Sequence, residues 1–341
     1  MLSESLTKRE RLVLEALVRA YVDLRTPVGS RTILGREGFE FSPATMRKTL
    51  SSLERKGLVQ QPHTSAGRLP TDEGYRFFVD EGETQTLDLS AEELESLRSS
   101  LEEVFQQVRA DEIHAQLAAI LGDVSNQLGL ALAPRFEQAV FRKLELVRLT
   151  SQQLLLVATL GLGPVQSLVI EVDSEVSEAG MNAVRQLLNE RLAGLTMSEI
   201  KSTARERLGG MRIPHPQLLR VVLDEIESLL APRGHGLFVA GARHIFEQPE
   251  FSDSSEVAGL VDLLERKEDL ADLLAGREGV VVTIGEENEP VEMRQCSVVT
   301  ASYAARDAVG VLGIIGPTRM PYKRLLAMLN YTASRAADFV S

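Results

Sequence analysis

The chain has 341 residues, of which 44% are hydrophobic and 25% charged, with a formal net charge of −12 and one cysteine. That length exceeds a typical single domain and can bury substantial cores, so two or three domains are expected. No run of about 18 apolar residues is present, and the opening MLSESLTKRERLVLEALV lacks the basic, apolar, small-residue order of a signal peptide, so a cytoplasmic protein is expected. Cys296 has no second cysteine to pair with, and the histidines at 63, 114, 215, 235 and 244 lack zinc-ligand spacing, so neither a structural metal nor a cofactor is expected.

An acidic chain is on average a poor phosphate binder, but here the charge is unevenly spread. Residues 1–80 carry 13 Lys and Arg against 10 Asp and Glu, whereas residues 81–341 carry 24 against 39. A basic head on an acidic body lets the head approach a polyanion while the body is held off it.

In the head, Thr7 and Glu10 have capping-box spacing, and Val13, Ala16, Leu17, Ala20 and Leu24 repeat at helical intervals, predicting a helix that ends before Pro27 and Gly29. Ser30 reads as the cap of a short helix over Arg31–Glu37, stopped by Gly38. A third helix opens at Ser42 with Pro43 in its first turn and stops at Gly57. Three helices with a tight turn between the last two predict a helix-turn-helix. On the third helix Met46, Leu50 and Leu53 mark the core side; Ala44, Lys48, Ser51 and Arg55 point the other way, with Thr45 and Arg47 on the flanks. The N-terminal end of such a helix reaches base edges, which makes Thr45, Arg47 and Lys48 the leading candidates, with Ser42, Ala44 and Ser51 beside them. A solvated helix face carries the same residue types, so this helix alone leaves both readings open.

The stretch LVQQPHTSAGRLPT predicts a β-hairpin, or wing, with Gly67 permitting the turn. Its tip offers His63, Thr64, Ser65 and Arg68 for phosphate or minor-groove contact; a bland surface turn would look similar, and His63 alone reads equally as a packing histidine. Thr71 and Asp72 open a further helix whose Tyr75, Phe77 and Phe78 are expected to pack the wing against the three-helix core.

Beyond the head, Ser90 to about Leu130 reads as helical, with Leu94, Leu97, Leu101, Val104, Phe105 and Val108 at mixed three and four spacing. Residues 142–172 hold three apolar stretches, which predicts an antiparallel meander; helical patterns fill roughly 177–230 and 255–275. Strand-like runs recur at Gly279–Ile284, Cys296–Tyr303 and Val309–Ile315, before a closing helix over Pro321–Phe339. Strands on both sides of a helical middle predict an α+β class with several domains.

Several patterns carry no chemistry. Gly310, Gly313 and Gly316 lack the dinucleotide-binding spacing and position, and Gly316-Pro317-Thr318 reads as a turn. Cys296 has nothing nearby in sequence to lower its pKa and is expected to be buried. Glu286, Glu287 and Glu289 read as a solvated acidic loop. No nucleophile, acid–base or metal-hydrolase constellation stands out, so an enzyme is not expected.

The strings VGSRTILG from Val28 and SPATMRKTLSSLERKGLVQQPHTSAGRLPTDEGYRFFVD over Ser42–Asp80 resemble the N-terminal domain of the heat-inducible transcription repressor HrcA family. FEQPEFSD over Phe246–Asp253 and VGVLGIIGPTRMPYKRLLAMLNYTA over Val309–Ala333 resemble its C-terminal signatures. Lys48 stands where the family pattern has Asn. Asn prefers adenine, and Lys prefers guanine or a phosphate, so this position bears on half-site preference. The resemblance implies a winged helix-turn-helix over 1–82 and a GAF-like sensor domain in two parts, 86–172 and 245–341. An inserted dimerisation domain over 173–244 would separate them. It also implies a homodimer on the inverted-repeat operator CIRCE, upstream of chaperone and chaperonin operons, with the GroE chaperonin as modulator and repression relieved by heat. The alternative is a metabolite-responsive regulator whose GAF-like body senses an effector.

Overall fold

The computed structural model describes residues 6–64, 66–81, 89–108, 112–134, 139–161, 165–172, 176–208, 215–230, 236–251, 254–305 and 308–340. The expected boundaries at 82, 86 and 173, and also His235, lie outside these residues.

The head begins with α1 (Lys8–Leu24), where the Thr7 side chain accepts the Glu10 N–H and the Glu10 carboxylate accepts the Thr7 N–H. These paired caps satisfy N–H groups that a helix start leaves without partners. α2 (Ser30–Glu37) follows, with Gly29 rather than Ser30 at the cap position. α3 (Pro43–Arg55) starts from Ser42, which accepts the Thr45 N–H at 3.1 Å. Val13, Leu14 and Leu17 of α1 are buried against Ile33, Met46, Leu50 and Leu53. Glu10 ties the ends of this bundle together, because Ser52 Oγ donates to it at 2.8 Å and Lys56 pairs with it at 3.2 Å. The short strands β1 (Val59–Gln60) and β2 (Leu69–Pro70) form an antiparallel ribbon, and α4 (Asp72–Glu81) leads out of it.

The α4 aromatics face further than expected. Tyr75 and Phe78 are buried, but the Tyr75 ring lies 5.8 Å from that of Tyr322, and the Lys323 ammonium stands 5.2 Å from the Phe78 ring centre. Arg76 donates to the Val282 carbonyl at 2.7 Å and to Glu287 at 2.8 Å. The helix is thus buried by two units at once, a situation that apolar residues in one sequence window cannot distinguish from packing on one.

The remaining elements are α5 (Ala91–Gln107), α6 (Ile113–Ser125), β3 (Leu128–Leu132), β4 (Phe141–Arg148), β5 (Gln153–Leu160), β6 (Val165–Glu171), α7 (Glu178–Leu192), α8 (Met197–Leu208) and α9 (Pro216–Leu230). They continue with β7 (Leu237–Ala240), α10 (Ala242–Phe246), α11 (Ser254–Glu265), α12 (Lys267–Leu274), β8 (Val280–Ile284), β9 (Cys296–Ala305), β10 (Ala308–Pro317) and α13 (Tyr322–Val340). A five-stranded antiparallel sheet has the order β7-β3-β10-β9-β8. Its α5, α6 and α13 side merges with the head core into one apolar cluster that includes Tyr75, Leu97, Leu117, Leu312 and Tyr322. On the other face Leu128, Leu130, Val298 and Ile315 pack with Leu260, Leu270 and Leu274 of α11 and α12.

β3 was expected as the end of a helical stretch. Every residue of it is buried, so LGLAL shows none of the alternation that marks a half-buried strand. The meander strands β4, β5 and β6 form a sheet of their own, and their buried faces share a cluster, from Ala139 to Val222, with α7, α8 and α9. The grouping of 142–172 with the body, and an insertion over 173–244, does not follow this division of cores. β7, inside the expected insertion, pairs with β3 in the large sheet, because hydrogen-bonding partners across a hundred residues leave no local sequence mark. The α+β class agrees with the expectation. Among the described residues no helix is long and apolar enough to cross a membrane.

Candidate nucleic-acid interface

α3 presents two sides of different character. Met46, Thr49, Leu50 and Leu53 are buried, while Ala44, Arg47, Lys48, Ser51 and Arg55 are exposed. Ser42 is exposed but occupied as the cap, its hydroxyl also lying 2.9 Å from Thr45 Oγ1. The half-buried Thr45 is therefore drawn into the cap. Arg47 Nε donates back to the Pro43 carbonyl at 3.2 Å, which steadies the guanidinium along the first turn. Burial would raise the Glu10 carboxyl, but hydrogen bonds from the Thr7 N–H, Ser52, the Thr7 hydroxyl and Lys56 outweigh it and hold the group at about 2. It stays ionised and balances Lys56, which leaves Arg47, Lys48 and Arg55 as the outward cations of this helix.

The ribbon is braced to α3 by a residue expected at the wing tip. Arg68 Nη2 lies 2.9 Å from Glu54 Oε2 and 3.4 Å from Ser51 Oγ, and its side chain is 17% exposed. Its backbone exchanges hydrogen bonds with Val28 at 2.8 and 2.9 Å. Arg68 is thus held at the base of the ribbon, and Glu54, the partner that fixes it, carries no sequence sign of that role. Gln61 closes the loop from within, donating to the Thr64 and Ala66 carbonyls at 3.0 and 2.9 Å. His63 and Thr64 are exposed at the tip, and Ser65 lies outside the described residues. Gly67 is required for close approach rather than for a left-handed turn: a Cβ there would overlap the Pro27 and Val28 backbone.

Farther away, the two C-terminal strings meet. Arg319, 5% exposed, donates to Gln248 Oε1 and Glu250 Oε2, each at 2.8 Å, which joins GPTRMPY to FEQPEFSD. Tyr322 lies 2.6 Å from Ser297 Oγ and donates to the Thr318 carbonyl. Burial pushes its phenol well above the usual range. Cys296 is buried. Glu287 of the acidic loop is not simply solvated but holds Arg76.

Comparison with known proteins agrees with the strings. The family model described as HrcA protein C terminal domain matches residues 111–326. The heat-inducible transcription repressor HrcA of Natranaerobius thermophilus is 35% identical, over 97% of this chain and 96% of its own. That of Geobacter sulfurreducens is 34% identical over 96% of both. A crystal structure of a hypothetical protein, 23% identical, superposes with a TM-score of 0.63 over 98% of this chain and 99% of that one, a likeness of fold alone. Kinship of this depth along nearly the whole length places the chain in the family of heat-inducible transcription repressors called HrcA.

Proposed function

We propose that this chain represses chaperone and chaperonin operons in the cytoplasm by occupying the CIRCE inverted repeat as a homodimer, and that heat lifts the repression. The head acts as a winged helix-turn-helix: α3 enters the major groove, and the ribbon is its wing. The observation that carries the reading is the face of α3 on which Ala44, Arg47, Lys48, Ser51 and Arg55 are all exposed, beside a ribbon braced to the same helix by Arg68 and Glu54. Lys48 and Arg47 contact bases or phosphates, the Ser42–Thr45 cap offers its hydroxyl edge to the backbone, and His63, Thr64 and Ser65 lie along a phosphate or the minor groove. Arg68 serves the wing from its base.

The body is read as GAF-like, and the unit of β4–β6 with α7–α9 as the inserted dimerisation domain. One side of the β4–β6 sheet is covered by helices; on the other, Val147, Leu155 and Val169 stand in one cross-strand row, with Val147 and Val169 48% and 47% exposed. An open apolar row of this kind suits a self-complementary twofold contact. The GroE chaperonin, by assisting folding of the repressor, sets how much of it is active.

The test is a salt titration of the purified chain on a CIRCE duplex and on a scrambled duplex, with and without chaperonin. Tight binding to the repeat alone is expected, with the salt slope falling by about 1 for Arg47→Ala and for Lys48→Ala. Equal weak binding to both duplexes, or unchanged affinity in both variants, would overturn the reading.

A further inference from the structure

The head and body do not meet flush. Between β1–β2 and α4 on one side, and the β8 loop and the turn before α13 on the other, lies a cleft of about 440 Å³, within the size range of small-molecule sites. Tyr21, Leu69, Pro70 and Ile284 give it an aromatic and apolar wall. Asp72, Glu73, Glu250, Glu286 and Glu287 line it as well, against one cation among the described residues, Arg319.

Two of those carboxylates are already matched, Glu250 by Arg319 and Glu287 by Arg76. Among the described residues Asp72, Glu73 and Glu286 form no ion pair. Burial, together with Glu286, Glu287 and Glu73 around it, raises the Asp72 carboxyl despite its hydrogen bond from the Glu286 N–H. A second observation is independent of this charge. The Tyr75 hydroxyl, on a side chain 2% exposed that also lines the cleft, has no hydrogen-bond partner among the described residues. A buried hydroxyl left without a partner costs free energy that a ligand donor or acceptor would recover.

We propose that this head–body cleft binds a small organic cation of the alkylammonium class. Its ammonium groups donate to Tyr75 Oη and to the unpaired carboxylates Asp72 and Glu286, while its methylene chain lies along the half-buried Tyr21 and Leu69. An anion is disfavoured because Arg319 is already bonded to Glu250 and Gln248. A bare metal ion is disfavoured because, among the described residues, no three His, Cys, Asp or Glu side chains converge as ligands. Since the walls come from both units, occupancy fixes the head against the body.

The experiment is calorimetric titration of the full chain with spermidine and with putrescine, beside magnesium chloride at matched ionic strength, in the absence of DNA. The absence of DNA keeps the outcome separate from the repressor reading. Tyr75→Phe removes only a hydroxyl that has no partner, and Glu286→Gln changes an exposed side chain, so both variants fold. Saturable binding of one amine per chain, weakened about tenfold or more by each substitution, is expected. Weak, unsaturating uptake that is equal in all three proteins would reflect only the acidic surface and overturn the proposal. Tight binding of magnesium instead of the amine would overturn it equally.

Discussion

Replacing Glu10 with Gln tests whether the contact between α1 and α3 is held by charge. In the parent chain the carboxylate accepts from the Thr7 N–H and hydroxyl, each at 2.9 Å, from Ser52 at 2.8 Å and from Lys56 at 3.2 Å. Its folded-state pKa of about 2 lies below the ordinary 4.5. The stabilisation is therefore full above about pH 4.5 and is lost as the pH falls towards 2. The gap between 4.5 and about 2 sets a ceiling of about 3 kcal/mol. Solvent around the partly exposed Lys56 screens this to about 1–2 kcal/mol. Hydrogen exchange read on peptides of α1 and α3 in the full chain, corrected for intrinsic rates at each pH, gives the measurement. At pH 7 Glu10→Gln is expected to lose protection about 5- to 30-fold, and below pH 4.5 the parent is expected to converge on it. Equal protection at pH 7, or a parent unchanged between pH 5 and 2.5, would refute the argument.

Three further outcomes follow from contacts elsewhere. A Cβ at Gly74 would overlap the Leu58 carbonyl oxygen, so Gly74→Ala is expected to destabilise the chain by about 1–3 kcal/mol in thermal unfolding; an unchanged melting temperature would contradict this. Arg76→Ala leaves Glu287 without its cation and the Val282 carbonyl without that donor. Exchange in α4 and β8 should quicken by a free energy of about 1–2 kcal/mol, and unaltered exchange would show that the clasp contributes nothing. Leu155→Asp tests the proposed twofold contact by placing a charge in the middle of the open row on β4–β6, and sedimentation should report a monomer where the parent chain is a dimer; a dimer that persists in the variant, or a monomeric parent, would refute that contact.

The head was the most legible part of the chain because its signals are local. A capping Thr with Glu three residues on, Pro in a first turn and apolar residues at helical spacing act over distances of a few residues, and α1, α3 and the ribbon follow them. The family strings extended this to function. Local signals failed where burial is two-sided: β3 lacks alternation because helices cover both faces of its sheet, and the α4 aromatics serve head and body together.

By itself the sequence determined the basic head on an acidic body, the outward residues of α3 and the α+β class, since charge count, helical period and alternation are properties of the chain. The tertiary structure alone decided which strands share a sheet, that Arg68 braces the ribbon through Glu54, that Arg319 meets Gln248 and Glu250, and that a carboxylate-lined cleft opens between head and body. Those contacts join residues up to some two hundred positions apart. They are fixed by which faces must leave water together, and no window of the sequence records that.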